Sequence, residues 1–349
     1  RPHHGAEHDR PRGERAVTAT ARQPLELVCP AGTPAALRTA VEAGADAVYC
    51  GFRDETNARN FPGLNFSRDE MAAAITYART HGAKVLVAIN TYARAGDPGP
   101  WHQAIDDAAT LGAHAVILAD LGLLDYAAKR HPDLRLHLSV QAAAASSDAI
   151  NFYVGAFGVK RAVLPRVLTV DEIATVTRHA RCETETFAFG GLCVMTEGRC
   201  SLSSYATGKS PNMNGVCSPA SHVSYRNDDG TLVSRLGDFT IDRSAPDQPV
   251  GYPTLCKGRF KTAIGEGHLF EEPVSLDVRA LLPALAAAGV TAIKIEGRQR
   301  SRAYIKAVVS AFRKSVDALE TTRPLPLDSL APLTEGQTVT GGAYEKTWR

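Results

Sequence analysis

From residue 24 onward the chain alternates two hydrophobic patterns. One is a short, nearly continuous apolar run, as a strand buried on both faces requires. The other is an apolar residue returning every three or four positions, as one face of a helix requires. The runs fall at 26–31, 47–52, 84–90, 114–120, 135–141, 161–166, 186–190 and 292–297. The helical patterns fall at 33–43, 67–81, 101–111, 121–131, 146–156, 169–180, 276–288 and 301–320. Thr33 before Pro34, Ser67 with Glu70 and Thr169 with Glu172 predict helix N-caps, and Gly44, Gly82, Gly112, Gly158 and Gly289 stand where helices should stop.

Strand and helix in alternation predict a parallel sheet. Eight such units predict an α/β fold closed into a (β/α)8 TIM-like barrel. A doubly wound open sheet is the alternative, but Ala31-Gly32-Thr33 after the first run is not a dinucleotide fingerprint. The rhythm breaks once. Residues 191–275, rich in Gly, Ser, Pro and Asn, separate the seventh strand from its helix. In a barrel such a βα insertion lies on the catalytic face. The chain thus divides into an extension at 1–23 expected to be disordered, a barrel at 24–320 carrying the insertion 191–275, and a C-terminal segment at 321–349.

Strand parity separates packing residues from lumen residues. In the fifth run Leu134, Leu136, Leu138 and Val140 share one face, while Arg135, His137, Ser139 and Gln141 share the other. In the last, Ile293 and Ile295 oppose Lys294, Glu296 and Arg298. Asn90 and Asp120 close the third and fourth runs, and the loop after the second holds Asn57, Arg59 and Asn60. Polar residues at C-terminal strand ends are where barrels keep their sites. Lys294, Glu296, Gln141 and Asn90 are therefore catalytic candidates, and Arg59, Asn60, Arg199 and Arg298 are substrate-binding candidates. Arg59, Arg199, Lys294 and Arg298 together suit a carboxylate-bearing ligand.

Four of the seven cysteines, Cys193, Cys200, Cys217 and Cys256, lie in or at the start of the insertion, amid glycine and serine. Four thiolates suit a structural zinc or an iron–sulfur cluster, and unliganded thiols are the third alternative. Zinc ribbons favour tight CxxC pairs, which are absent here. Cys29, Cys50 and Cys182 read as small buried hydrophobes. An odd cysteine count without an apolar leader segment suggests a reducing, cytoplasmic setting rather than a disulfide framework.

The 39 Lys+Arg exceed the 37 Asp+Glu by two, and that excess lies within 1–23, so the body is formally neutral. A neutral body gives no footing for tracking nucleic-acid phosphates, and none is expected as a partner. No stretch approaches the roughly 18–20 apolar residues of a membrane span.

Nine segments carry a resemblance: LVCPAG at 27–32, GADAVYCG at 44–51, TNARNFPGLNF at 56–66, AINT at 88–91, LADL at 118–121, SVQA at 139–142, FAFGGLCVMTEGRCSLSS at 187–204, GYPTLCKGR at 251–259 and IKIEGRQRS at 293–301. In these the chain resembles the collagenase-like peptidase family U32, and most closely its ubiquinone-biosynthesis branch. The resemblance implies a [4Fe–4S] cluster on Cys193, Cys200, Cys217 and Cys256. It implies a heterodimer with a UbiV-type paralogous iron–sulfur subunit, and a lipid-carrier protein is a further candidate partner. The implied activity is oxygen-independent hydroxylation of the aromatic ring of ubiquinone precursors, with prephenate as hydroxyl donor. The alternatives are an RNA-base hydroxylase, whose known examples look longer, and a collagenase-like peptidase. The sequence has no HExxH motif to support the latter.

Overall fold

Closure of the sheet follows directly from the pairing of its first and last strands. The structure, a computed structural model, describes residues 24–195, 197, 200–210, 217–248, 250–321 and 323–345. The extension 1–23 and Arg199 lie outside the described residues. In chain order the strands are β1 (Glu26–Pro30), β2 (Ala47–Cys50), β3 (Lys84–Ile89), β4 (Ala115–Leu118), β5 (Arg135–Leu138), β6 (Arg161–Val163) and β7 (Glu183–Gly191). Then come β8 (Val223–Asp228), β9 (Thr231–Leu236), β10 (Phe239–Ser244), β11 (Arg259–Thr262), β12 (Gly265–His268), β13 (Ser275–Asp277), β14 (Ala292–Ile295) and β15 (Val339–Thr340). Strands β1 to β7 run parallel in sequence order, and β14 pairs in parallel with both β1 and β7. The result is a closed eight-stranded (β/α)8 barrel of the TIM type, as the eight-unit rhythm predicts.

The helices are α1 (Pro34–Glu42), α2 (Arg68–Thr80), α3 (Gly99–Thr110), α4 (Leu121–Arg130), α5 (Ser147–Phe157), α6 (Val170–His179), α7 (Leu202–Thr207), α8 (Leu282–Ala287) and α9 (Arg302–Glu320). Thr33 caps α1 by accepting from the Ala36 amide, and Ser67/Glu70 and Thr169/Glu172 form reciprocal capping boxes on α2 and α6. Each such cap contributes about 1 kcal/mol. Gly158 closes α5 in the left-handed conformation that a Cβ disfavours. No helix among the described residues is long and apolar enough to cross a membrane.

Several boundaries differ from the sequence reading, four of them with a consequence for the site or the sheet. Strand β7 begins at Glu183, three residues earlier than predicted. Strand β5 stops at Leu138, because Ser139 accepts from the Gln141 amide and turns 140–142 into a 3-10 turn. Strand β6 stops at Val163, leaving Arg166 on the following loop. The helix predicted over 276–288 is instead strand β13, a 3-10 turn at Arg279–Leu281 and the short α8. The insertion folds on its own as a three-stranded antiparallel sheet and a β11–β12 hairpin. Strand β13 runs antiparallel to β7, and β15 joins β13 on its other side. The C-terminal segment is thus tied to the barrel, and Tyr344 donates to the Phe187 carbonyl at 2.8 Å.

The lumen is divided. Toward β1–β4 it is filled by Val28, Ala47, Tyr49, Leu86, Ala88, Ala115 and Ile117, with Ala292 of β14. Toward β5–β7 and β14 it is charged. Glu26 pairs with Lys84 at 2.6 Å and Arg161 at 2.8 Å. Arg161 also reaches Glu183 at 2.7 Å and Glu185 at 3.3 Å, and Glu185 holds Lys294 at 2.7 Å. Arg135 pairs with Glu183 and donates to His137, whose imidazole burial and neighbouring Arg161 hold in the neutral form. Most of these groups open their strands, so they plug the N-terminal end of the barrel, the end that serves stability.

Glu185 has no solvent exposure and serves two buried cations. Glu185→Ala leaves Arg161 short of one carboxylate and Lys294 with none, and should cost about 3–5 kcal/mol in urea melts. An unchanged midpoint would contradict the network.

Burial pushes the Glu26 carboxyl up, but Arg161 and Lys84 together bring it down from 4.5 to about 2. A carboxyl lowered in the folded state contributes stability that is complete above its unfolded pKa and is lost as pH falls through the folded one. Stability should therefore decline between about pH 4.5 and 2. Glu26→Gln should flatten that decline in melts across the same window.

Candidate functional site

Three loops and one strand end meet over the barrel mouth. The carboxylate of Glu296, just past β14, accepts from Arg166 at 2.7 Å and from Arg59 at 3.3 Å. Arg166 also pairs with Glu197 at 2.8 Å, donates to the Gly191 carbonyl and lies 4.0 Å over the Phe187 ring. Burial acts to raise the Glu296 carboxyl, but the Arg166 and Arg59 guanidinia hold it at about 2. It stays ionised at neutral pH and is a poor proton donor or acceptor. The geometry places Glu296, a catalytic candidate from the sequence, as a clamp between two cations. Gly190 has a φ of +124°, and a Cβ there would stand 2.7 Å from the Glu296 Cβ, so only glycine leaves the clamp room.

The loop after β2 is braced by amides. The Asn57 side chain accepts from the Arg59 amide at 2.9 Å, the Asn65 side chain donates to the Arg59 carbonyl at 2.8 Å, and the Asn90 side chain accepts from the Ala58 amide at 3.0 Å. Asn90 therefore positions Arg59, whereas Asn60 points to solvent as an exposed residue. Gln141 sits on the turn after β5, its backbone carbonyl accepting from Tyr92 and its side-chain oxygen buried without a partner. Asp120 caps α4 through the Gly122 and Leu123 amides, a structural task.

Of the four predicted cations, Arg199 lies outside the described residues and the other three have distinct partners. Lys294 is spoken for by Glu185 and lies 4.1 Å over the Tyr49 ring, while burial lowers its pKa. Arg59 is engaged by Glu296. Arg298 shares the mouth but pairs with no carboxylate among the described residues; its guanidinium donates to Asn57 at 3.3 Å.

All four insertion cysteines are free. Burial raises the Cys193 thiol to about 11 against the pull of Arg166, with Glu197 and Cys217 adding to the rise. Burial also raises Cys217, which Arg59 opposes and which Cys256 and Cys200 reinforce. Cys256 is raised by burial and by Cys193 and Cys200, with its own Thr254 contact opposing. Each of the four thiols is thus within electrostatic reach of others in the set. The clamp arginines reach two of them, Arg166 acting on Cys193 and Arg59 on Cys217. Among the described residues no three His, Cys, Asp or Glu side chains stand close enough to share a single metal ion. Cys29 and Cys50 are fully buried on strands and inert, as predicted, the Cys50 thiol being pushed by burial to about 12.

Sequence reasoning missed Arg166, Glu197 and Tyr49. Tyr49 shares lumen parity with Ala47, and its hydroxyl donates to the Ile295 carbonyl at 2.9 Å. Glu197 lies between two of the cysteines, which was its only local signal. Arg166→Gln removes the main cation opposing burial at Glu296. The Glu296 carboxyl should then climb from about 2 toward the ordinary carboxylate range, read by NMR titration of carbon-13-labelled glutamate. An unmoved titration would reject the clamp.

The model of Peptidase family U32 matches residues 32–333. The chain is 29% identical over 327 residues to the tRNA hydroxylation protein P of Escherichia coli, covering 88% of this chain and 71% of that protein. It is 31% identical over 300 residues to the 23S rRNA 5-hydroxycytidine synthase of Escherichia coli, covering 84% of this chain and 40% of that protein. It is 26% identical over 305 residues to a collagenase of Porphyromonas gingivalis, covering 84% of this chain and 66% of that protein.

Proposed function

Because the chain belongs to Peptidase family U32, we propose that it is the iron–sulfur subunit of an oxygen-independent hydroxylase. Its acceptor in this reading is the aromatic ring of a ubiquinone precursor, and its hydroxyl donor is prephenate. One observation carries the proposal: the insertion holds four free thiols, and the two arginines clamped by Glu296 act electrostatically on two of them. Relatives named for hydroxylation support the reaction class.

The donor set fits a polynuclear group. Four cysteines supply a full ligand set for a [4Fe–4S] cluster. Cys193, Cys200, Cys217 and Cys256 would hold it, and when bound it would supply one-electron chemistry. The chain's own residues do the rest. Arg166 and Arg59 set positive charge beside Cys193 and Cys217, Glu296 keeps the two guanidinia in place, and Asn57, Asn65 and Asn90 fix the loop that carries Arg59. A UbiV-type subunit is the proposed partner, with a lipid-carrier protein delivering the quinone precursor and the cytoplasm as the proposed setting. The neutral body favours a small aromatic acceptor over a polyanion.

A second reading, hydroxylation of an RNA base, is favoured by the names of the relatives. Salt-dependent RNA binding with loss of tRNA or rRNA hydroxylation in a deletion strain would establish it over the quinone reading.

Anaerobic purification should yield a brown protein with about four iron atoms per chain. Alanine at any one of the four cysteines should bleach it and leave the quinone precursor unhydroxylated in an anaerobically grown deletion strain. A colourless, zinc-loaded protein that still complements would refute the cluster. Complementation by all four variants would refute its role.

A further inference from the structure

Four buried cations of this chain share one kind of partner. Arg161, Arg166, Arg279 and Lys294 are each no more than 7% exposed, and each touches a carboxylate. Arg298 is 4% exposed and touches none among the described residues. The nearby carboxylates are committed: Glu296 to Arg166 and Arg59, Glu185 to Arg161 and Lys294. A buried charge left unpaired is costly, so an anion is missing from the balance.

The surroundings are built for one. The Asn57 carbonyl oxygen takes one terminal nitrogen of Arg298 at 3.3 Å, and the Tyr49 ring centroid lies 5.8 Å from the guanidinium carbon. Among the described residues its Nε and second terminal nitrogen make no hydrogen bond. Close approach of backbone makes the seat possible. A Cβ at Gly51 would stand 2.7 Å from the Asn57 side chain and 3.0 Å from the Arg298 guanidinium, and one at Gly32 would stand 2.0 Å from the Arg298 carbonyl oxygen. Burial lowers the Arg298 pKa to about 10, with Arg59 adding to the fall, so a bound anion would relieve strain already present.

We propose that Arg298, with Asn57 and Tyr49, forms the seat for a single carboxylate of a small organic acid. The fork of the guanidinium matches a carboxylate in two parallel hydrogen bonds. A nucleic-acid backbone needs exposed cations, and Arg298 is buried. The seat deepens the proposed function by locating the donor acid, and rests on that reading only for the identity of the acid.

The test is calorimetric titration of the full chain, purified anaerobically, with prephenate, benzoate and inorganic phosphate, for the wild type, Arg298→Gln and Arg298→Lys. Prephenate should bind the wild type, benzoate should compete, and phosphate should not. Arg298→Gln should loosen prephenate at least tenfold, and Arg298→Lys should recover part of that loss. Far-ultraviolet circular dichroism and iron content check that each variant is folded. Should Arg298→Gln not fold, Arg298→Lys decides, because a lysine cannot reproduce the fork and should still loosen binding. Absence of both prephenate and benzoate binding in the wild type, equal competition by phosphate, or unchanged affinity in the folded variants overturns the seat, whereas benzoate binding without prephenate binding overturns only the identity of the acid. Intact binding without hydroxylation of the quinone precursor leaves the seat standing and removes the proposed function instead.

Discussion

Everything above the floor of the barrel depends on Glu185 being shared between Arg161 and Lys294. A barrel lumen is normally filled by branched aliphatic side chains. Here half of it is filled by ions, which is tolerable only where each charge has a partner at hydrogen-bond distance. The network satisfies that condition from the strand starts upward. Glu26, Arg161 and Glu183 close the floor, Glu185 and Lys294 form the next layer, and Glu296 with its two arginines forms the layer above. Pairing is complete until the mouth is reached and fails there at Arg298. The place where the charge balance fails is the place where a ligand would complete it.

The Glu296 clamp joins parts of the chain that are far apart in sequence. Arg59 comes from the loop after β2, Arg166 from the loop after β6, and Glu197 from the first turn of the insertion. The same two arginines act on two of the four thiols. The floor of the mouth and the cysteine-bearing excursion therefore form one electrostatic unit. A change on one side of Glu296 is felt on the other through a single carboxylate with both oxygens in use.

The fold was legible because its signals are local. Apolar runs, capping boxes at Ser67 and Thr169, and a left-handed stop at Gly158 each act within a few residues, and eight repeats of them leave little choice. The insertion was illegible for the opposite reason. Residues 224–228 of β8 are all exposed, so no hydrophobic period marks the strand. Strand β13 was read as helix because Leu276, Val278, Leu281, Leu282 and Leu285 recur at helix-like spacing, although the first of them is held by β7. At the site, parity correctly faced Lys294 and Glu296 inward. It could not tell which cation each carboxylate would choose. Arg166 and Glu296 are separated by 130 positions, and that choice is made by closure of the barrel.

The ladder between β7 and β13 has a consequence for descent. Gly191 faces Ser275 and Gly190 faces Leu276, so the excursion leaves and re-enters the barrel through adjacent strands. Adjacent strands lie about 4.8 Å apart whatever hangs between them. Loop-closure cost also rises only slowly with length, by roughly 0.6 kcal/mol for each doubling. The barrel therefore experiences the enclosed stretch as a hairpin of arbitrary size. Provided that Glu197 and the four cysteines keep their places, the stretches between them are open to lengthening or trimming while the frame beneath goes unrevised.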